Sequence, residues 1–328
     1  MNPMSNSMVS IIIPVYNTEE FVEEAVRSIM NQTLQDIEII IINDGSTDDS
    51  EEKIWSYKGD IEKRGYTFKY MLQENQGAAA AVNQGLKIMT GEFFQLFDID
   101  DILYPDNVSK KVKVFDENSN VGIVINNGYF FNIDSGKRTV FRNDIDYIKN
   151  NGLFNAIIYE HAYSWAGCCM MRTEDFSKNI ENRDIFLSKY GQNLQVVLPV
   201  AFASGSYVVD EPLMDYVMRK NSVSHTEDVH KQLFLQKKFT ENRIESVKNI
   251  RMDSDNKKKI IHSIEMWDVK KRYIFSMNHG LRDELENTKE ILKKNKLFSF
   301  KDNVRYCVGK NKCLKKFYDF LHKLKGSI

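Results

Sequence analysis

The sequence predicts an α/β protein: a mixed, mostly parallel sheet flanked by helices, followed by a helical C-terminal extension. Three observations carry that expectation. Short apolar runs alternate with amphipathic stretches through the first half, the pattern of strands joined by crossover helices. Runs such as Ile37 to Ile42, interrupted by Glu38, and Phe93 to Phe97 read as buried strands. After His225 the chain becomes polar and Lys-rich, with a helical pattern to the end.

Taken in order, Val9 to Val15 is a first strand, and Glu19 to Asn31 a helix with Phe21, Val22, Ala25, Ile29 and Met30 on its apolar side. Ile37 to Asn43 is a second strand, and Asp48 to Arg64 a helix capped at Ser46 or Thr47. Phe68 to Leu72 is a third strand, Gly77 to Met89 a helix of small residues, and Phe93 to Phe97 a fourth strand. Pro105 to Phe115 is a helix, with Val121 to Ile125 a fifth strand behind it. Gly128 and Asp134-Ser135-Gly136 mark a hairpin between Asn126 and Asn151. Ala162 to Arg172 is small and apolar, and Leu194 to Ala203 is an apolar helix. Val208 to Tyr216 resembles an edge strand, because Pro212 interrupts it.

A chain of 328 residues holds one large domain or two smaller ones. The 42% apolar content supplies a real core, and 28% charged residues is ordinary for a soluble protein. No apolar run approaches the ~18 residues of a membrane span. Residues 1–7 lack the positive segment and apolar core of a signal peptide. The four cysteines show neither zinc-ligand spacing nor the density of a secreted scaffold, so a reducing cytosol fits.

The net charge of −1 conceals an asymmetry. Residues 226–328 carry 25 Lys+Arg against 14 Asp+Glu, while the preceding residues carry 20 against 32. That division predicts two modules, 1–225 and 226–328, with different partners. A basic module beside an acidic body points to an anionic surface, either membrane or nucleic acid.

Phe97-Asp98-Ile99-Asp100-Asp101 places three carboxylates directly after an apolar run. The end of such a strand is where an open α/β sheet presents its ligand site. Crowded like charges favour their ionised forms only with a cation among them. A divalent metal bridging a substrate's phosphates meets that need, because hard oxygen ligands suit Mg²⁺ or Mn²⁺. The competing local reading is a helix N-cap at Asp101, opening over Ile102-Leu103-Tyr104-Pro105.

Earlier strand ends carry their own polar groups. Pro14-Val15-Tyr16-Asn17 ends the first strand, where a tyrosine can stack a base and an asparagine can hydrogen-bond one; a plain turn is the alternative. Asn43-Asp44-Gly45-Ser46-Thr47-Asp48 ends the second, and Gly45 permits a sharp turn. A connector explains Gly45 to Ser50 but not Asp44, which is placed to accept from a nucleobase imide N–H. Asn75-Gln76-Gly77, the alanines 78–81 and Asn83 build a helix start without bulk, suited to close packing or to an anion. The glycine spacing is neither the dinucleotide fingerprint nor a Walker loop, which argues against hydride transfer and ATP hydrolysis.

In this order and spacing, the four stretches resemble family 2 of the inverting glycosyltransferases, over residues 9–225. The resemblance implies a GT-A fold, a nucleotide-sugar donor (UDP-linked by preference) and Mn²⁺ or Mg²⁺. It implies that Pro14, Tyr16 and Asp44 hold the nucleoside, with Asn17, Asn75, Gly77 and Asn83 also on the donor side. Asp98 then stands near the ribose and sugar, and Asp100 on the metal. Asp215-Tyr216 through Arg219, and Ser222 to His225, resemble the family's diphosphate-gripping loop, with Arg219 a phosphate partner and His225 a second metal ligand.

Two departures stand out. The family commonly carries Arg before the Asn of its third motif, and here that position is Val82. An inverting transfer needs a carboxylate to take the acceptor's proton. The family's Glu-Asp pair is replaced by Gln192-Asn193, and neither amide can act as a base. Asp184 and Glu181 are the nearby carboxylates, and Asp184 is favoured as base. Gln192, Asn193 and Trp165 then face the acceptor, the indole stacking a sugar ring unless it belongs to the core.

The expected function is therefore cytosolic sugar transfer onto a glycan, lipid-linked, in surface-polysaccharide assembly. A non-catalytic nucleotide-sugar-binding scaffold is the alternative from another class, motivated by the amide pair. A nucleotidyltransferase is a second enzyme alternative, but Tyr16 to Glu20 lacks the glycine-rich basic loop it needs. Near the end, Leu314, Phe317, Tyr318, Leu321 and Leu324 form a stripe flanked by lysines. Such a helix either lies on an anionic membrane at the inner face of the cell or packs on the catalytic domain. No nucleic-acid partner is expected, because no recognised module accompanies the charge.

Overall fold

The computed structural model describes residues 8–141, 145–180, 184–218 and 226–310. Glu181, Arg219, Ser222 to His225 and the stripe from Leu314 to Leu324 lie outside the described residues.

The parallel part of the sheet forms as the alternation predicts. Strands β1 (Val9–Val15), β2 (Ile37–Asn43), β3 (Thr67–Leu72) and β4 (Phe93–Leu96) lie in the order β3-β2-β1-β4, all parallel. β2 and β4 are buried along their whole length, as expected of strands covered on both faces. Helices α1 (Val22–Met30), α2 (Ser50–Lys63) and α3 (Ala78–Ile88) make the crossovers. In α3, Gly85 meets Ile12 so closely that an added Cβ would stand 2.3 Å from the Ile12 side chain, so the small residues there serve packing.

The sheet then turns mixed. After β5 (Ile102–Leu103) and α4 (Asn107–Glu117) come β6 (Val121–Asn132), β7 (Lys137–Val140), β8 (Cys169–Arg172) and β9 (Gly205–Met218). The order continues β4-β8-β6-β9-β5, with β7 hairpinned onto β6 across Asp134 to Gly136. Short helices α5 (Ile145–Asn151), α6 (Leu153–Ile158) and α7 (Thr173–Asn179) precede α8 (Gln192–Ala203).

Three expectations are corrected here. β9 is an interior strand, pairing β6 on one side and β5 on the other. Its register with β6 jumps from Val209 opposite Asn126 to Pro212 opposite Asn127, so the proline sits at a bulge and its missing N–H interrupts no ladder bond. Ile102-Leu103 is a short strand rather than the opening of a helix. α2 begins at Ser50 without a capping bond from Ser46 or Thr47; Ser46 Oγ instead accepts from the Asn17 N–H at 3.0 Å.

The described residues divide into two compact units: those up to 218 with 241–257, and 226–240 with 258–310. Sequence composition put the boundary at 225/226, but 241–257 return to the first unit. There Asn249 donates to the Asp184 carbonyl (3.0 Å) and the Arg251 N–H to the Asn179 carbonyl (3.0 Å).

The second unit draws on α9 (Val229–Lys248), α10 (Ser254–His279), α11 (Arg282–Lys294) and α12 (Phe300–Lys310). It has its own core of Val269, Tyr273, Met277, Leu285 and Leu292, with Phe298 and Tyr306 packed against it. Tyr273 Oη donates to the Asp302 carbonyl at 2.7 Å, which satisfies the hydroxyl of a ring with no exposure. No helix among the described residues is long and apolar enough to cross a membrane.

Candidate active site

The ends of β2, β1 and β4 lie side by side, because these strands are adjacent and parallel. That is the crevice in which open α/β sheets bind ligands. Tyr16 stands at its rim, 47% exposed, with its ring available to a flat partner. Pro14 is half-buried in the last turn of β1 pairing, opposite Ile42.

Asn17 is exposed, yet its side-chain oxygen is used by the chain itself. At φ 50 its Oδ1 accepts from the Thr47 N–H at 2.8 Å, so it stitches the first motif to the second. Gly45, at φ 74, abuts the third motif: a Cβ there would lie 3.0 Å from the Asn75 nitrogen. Only glycine fits such a position without strain.

Asp44 is buried, and the chain itself occupies its carboxylate. Oδ1 accepts from Gln73 Nε2 (2.6 Å) and the Gln76 N–H (2.9 Å), and Oδ2 from the Gly77 N–H (2.7 Å). The expected imide acceptor is thus an organiser of the loop that carries exposed Asn75 and leads into α3. Gly77, at φ 91, spends its N–H on Asp44 rather than offering it to an anion. Asn83 is also corrected. Its Nδ2 donates to the Ile185 carbonyl (2.8 Å) and its Oδ1 accepts from the Ile185 N–H (2.8 Å), so it clasps the 184–186 backbone.

The three carboxylates follow β4 in a tight turn, with the Asp101 N–H donating to the Asp98 carbonyl at 3.0 Å. Asp98 and Asp100 are half-buried and Asp101 is buried. Asp101 Oδ1 accepts from the Val217 N–H at 3.0 Å, which ties this turn to the end of β9. Burial first, and the Asp100 charge second, push the Asp98 carboxyl up to about 7, opposed by a hydrogen bond from Asn193. Burial first, then the charges of Asp100 and Asp98, push the Asp101 carboxyl well above the usual range.

This arrangement fits a divalent cation. The donors are all hard oxygens, Asp101 Oδ2 is buried without a partner, and burial with mutual repulsion raises the Asp98 and Asp101 carboxyls, a cost that a cation among them would relieve. Among the described residues no three His, Cys, Asp or Glu gather as a metal cluster. Asp100, with Asp98 beside it, would hold such an ion with the remaining oxygens coming from phosphates, the way Mg²⁺ is usually held.

The acceptor side departs from expectation in three places. Trp165 is half-buried in an aromatic cluster: Tyr163 stacks on it at 3.8 Å, with Phe141, Phe130 and Tyr216 within 5.0 Å. One face of the indole is therefore covered. Asp184 lies 3.4 Å from Lys87, in the last turn of α3, roughly 14 Å along that helix from its start at the strand ends. Asn193 hydrogen-bonds Asp98, and its Oδ1 is buried without a partner. Gln192 opens α8 directly after Gly191, which sits at φ 67.

Asp215, expected to open a phosphate-gripping loop, is buried and locked. Arg138 forks onto it (Nε to Oδ2 3.0 Å, Nη2 to Oδ2 2.7 Å), and Tyr104 Oη donates to it at 2.9 Å. Burial and this carboxylate push the Tyr104 phenol up to about 12.

Sequence reasoning missed Lys111, which is fully buried. Its Nζ donates to Gly167 O (2.7 Å), Asn107 Oδ1 (2.9 Å) and Gln95 Oε1 (3.1 Å). Those bonds, with the Gly167 N–H on Leu96 O at 2.6 Å, fasten the Trp165 turn to β4 two residues before Asp98. Burial lowers the Lys111 ammonium to about 7. The available signal was its place on the apolar face of α4, beside Val108, Val112 and Phe115.

Fold and site together define a GT-A-like α/β protein with an acidic crevice at its parallel strand ends. The family model described as Glycosyl transferase family 2 matches residues 10–179, and the chain belongs to that family. An uncharacterised glycosyltransferase of Rickettsia conorii is 37% identical over 145 residues, 44% of this chain and 22% of that protein. The putative glycosyltransferase EpsH of Bacillus subtilis is 42% identical over 103 residues, 31% of this chain and 29% of that protein. The chain therefore spans less than a third of the length of either relative. In structure, S. aureus TarS in complex with UDP-GlcNAc superposes with a TM-score of 0.57 at 15% identity, covering 82% of this chain and 80% of TarS 1-349. The mannosyltransferase PcManGT of Pyrobaculum calidifontis, in complex with GDP-Man and Mn²⁺, gives 0.58 at 14% identity, covering 96% and 84%. At such identities these likenesses speak for the fold.

Proposed function

We propose that this chain is a metal-dependent inverting glycosyltransferase that moves a sugar from a nucleotide-sugar, UDP-linked by preference, to a glycan hydroxyl. The acceptor class is a lipid-linked oligosaccharide of surface-polysaccharide assembly. The observation that carries this reading is the Asp98-Asp100-Asp101 turn at the end of β4, short of positive charge and joined to β9 at Val217. Tyr16 stacks the base, and Asp44 fixes the loop against which the nucleoside sits. Asp100 holds Mn²⁺ or Mg²⁺ with His225, and Arg219 takes a phosphate oxygen. When bound, that cation neutralises the leaving diphosphate.

The test is turnover of a nucleotide-sugar panel by the purified chain, with and without Mn²⁺. Transfer or donor hydrolysis with one nucleotide, lost on chelation, is the expected result. Cation-independent turnover would overturn the metal assignment.

A second reading is favoured by one contact. An amide, Asn193, meets Asp98 where the family places a carboxylate, which suits a nucleotide-sugar-binding scaffold without transfer. Cation-dependent donor binding with no hydrolysis and no transfer would support it.

Asp184 is not the base on this reading, because it pairs with Lys87 at the far end of α3. Asp184→Asn is expected to keep turnover within about twofold, the size of an ordinary surface change. A general base carries about 10² to 10⁴. A loss of that size in the variant, with its melting temperature unchanged, would return proton transfer to Asp184.

A further inference from the structure

The second unit carries an exposed apolar and basic patch at the joint between α11 and α12. Phe300 is 83% exposed, Leu297 46% and Val304 44%. Phe300 and Val304 are four residues apart on α12 and share a face, with Leu297 in the turn just before it. A phenylalanine left this bare beside two other apolar side chains marks an interaction surface.

The charge around it is one-sided. Within residues 294–304, Lys294, Lys296 and Lys301 are all exposed, and the one acidic residue, Asp302, is buried. Asp302 is turned inward, ion-paired with Lys270 and accepting from Ser299 Oγ at 2.6 Å. The three lysines form no ion pair among the described residues.

The backbone bears on this as well. α11 ends in a Schellman turn, with the Leu297 N–H donating to Leu292 O at 2.8 Å and the Lys296 N–H to Lys293 O at 3.0 Å. The left-handed position of that turn normally takes glycine, yet it holds Lys296 at φ 57. A long cation thus occupies a position that backbone energetics would give to glycine. Strain of this kind is tolerated where a side chain has a use.

We propose that Leu297, Phe300 and Val304, ringed by Lys294, Lys296 and Lys301, dock this unit on an anionic lipid bilayer. The apolar side chains enter the headgroup boundary while the lysines meet lipid phosphates, the division of labour of interfacial helices. These residues precede the lysine-flanked stripe after Lys310 in the sequence, and docking through them does not depend on the glycosyltransferase reading.

The test is flotation of the full chain with phosphatidylcholine vesicles and with vesicles of equal parts phosphatidylcholine and phosphatidylglycerol. Binding to the anionic vesicles alone, weakening as salt rises, is the expected result. Replacing Lys294, Lys296 and Lys301 together by Gln should lower the apparent affinity on the order of a hundredfold, about fivefold per lysine. F300S combined with L297S should bind weakly even at low salt. These side chains are exposed, so circular dichroism and melting temperature should match the wild type. Wild-type binding by both variants would overturn the proposal and assign any affinity to the stripe after Lys310. A concentration-dependent dimer abolished by F300S, without vesicle binding, would also overturn it and assign the patch to a second copy of the chain.

Discussion

Asp100→Ala is expected to reduce sugar transfer on the order of 10³-fold and to abolish the cation-dependent part of UDP binding. The reasoning starts from charge. Burial and the Asp100 charge already hold the Asp98 carboxyl near 7, so this turn is short of cations rather than of anions. A divalent ion held by Asp100 would supply that charge and would neutralise a leaving diphosphate, a contribution of several kcal/mol. Removing Asp100 takes away the proposed metal ligand and relieves the repulsion on Asp98 and Asp101 together. The variant should therefore fold as well as the wild type, or better, while losing function. Isothermal titration with UDP, with Mn²⁺ and then with chelator, reads the binding effect directly. Equal Mn²⁺ enhancement in wild type and variant would remove Asp100 from the metal site.

Much of this could be read from sequence because it is local. A strand buried on both faces must be written almost wholly in apolar residues, which is why β1, β2 and β4 are visible in Val9 to Val15, Ile37 to Ile42 and Phe93 to Phe97. The clustering of motifs follows from topology, since adjacent parallel strands bring their ends together wherever they lie in the chain. β9 was misread because its partners, β6 and β5, are supplied by distant chain and Pro212 mimics an edge signal.

The site residues divide in the same way. Which residues are polar at a strand end is written locally; which way each side chain turns is not. Asn17, Asp44 and Asn83 are all used by backbone groups 30 to 102 residues away. Asp215 is claimed by Arg138 from β7, and Trp165 is covered by Tyr163. Only tertiary structure supplies such partners. Lys111 gives the opposite lesson: a charge on an apolar helix face marks a buried network, though its partners Gln95, Asn107 and Gly167 are no motif.

Glu38 is the interruption in the apolar run of β2, and its replacement by Leu is expected to cost about 3 to 5 kcal/mol, lowering the melting temperature by roughly 10 °C. The side chain is 1% exposed, yet every neighbour answers it. Its carboxylate accepts from Ser10 Oγ (2.6 Å), Thr90 Oγ1 (2.7 Å) and the Thr90 N–H (3.0 Å), and is ion-paired with Lys69. Leucine satisfies the apolar strand pattern but strands those donors, which is the costly way to break a buried network. Burial alone would raise the Glu38 carboxyl; the bonds from Lys69, Ser10 and Thr90 outweigh it and hold the group below its ordinary range. The sign follows from that depression. The stabilisation is complete above the unfolded value of about 4.3 and is lost as pH falls from there through the lowered folded value. Wild-type stability should therefore decline on the acid side of about pH 5, and Glu38→Gln should flatten that part of the decline. Urea unfolding of both proteins across that range measures the difference. Parallel acid slopes in the two would show that Glu38 is not the group being titrated, and a Glu38→Leu variant as stable as the wild type would show that its donors find other acceptors.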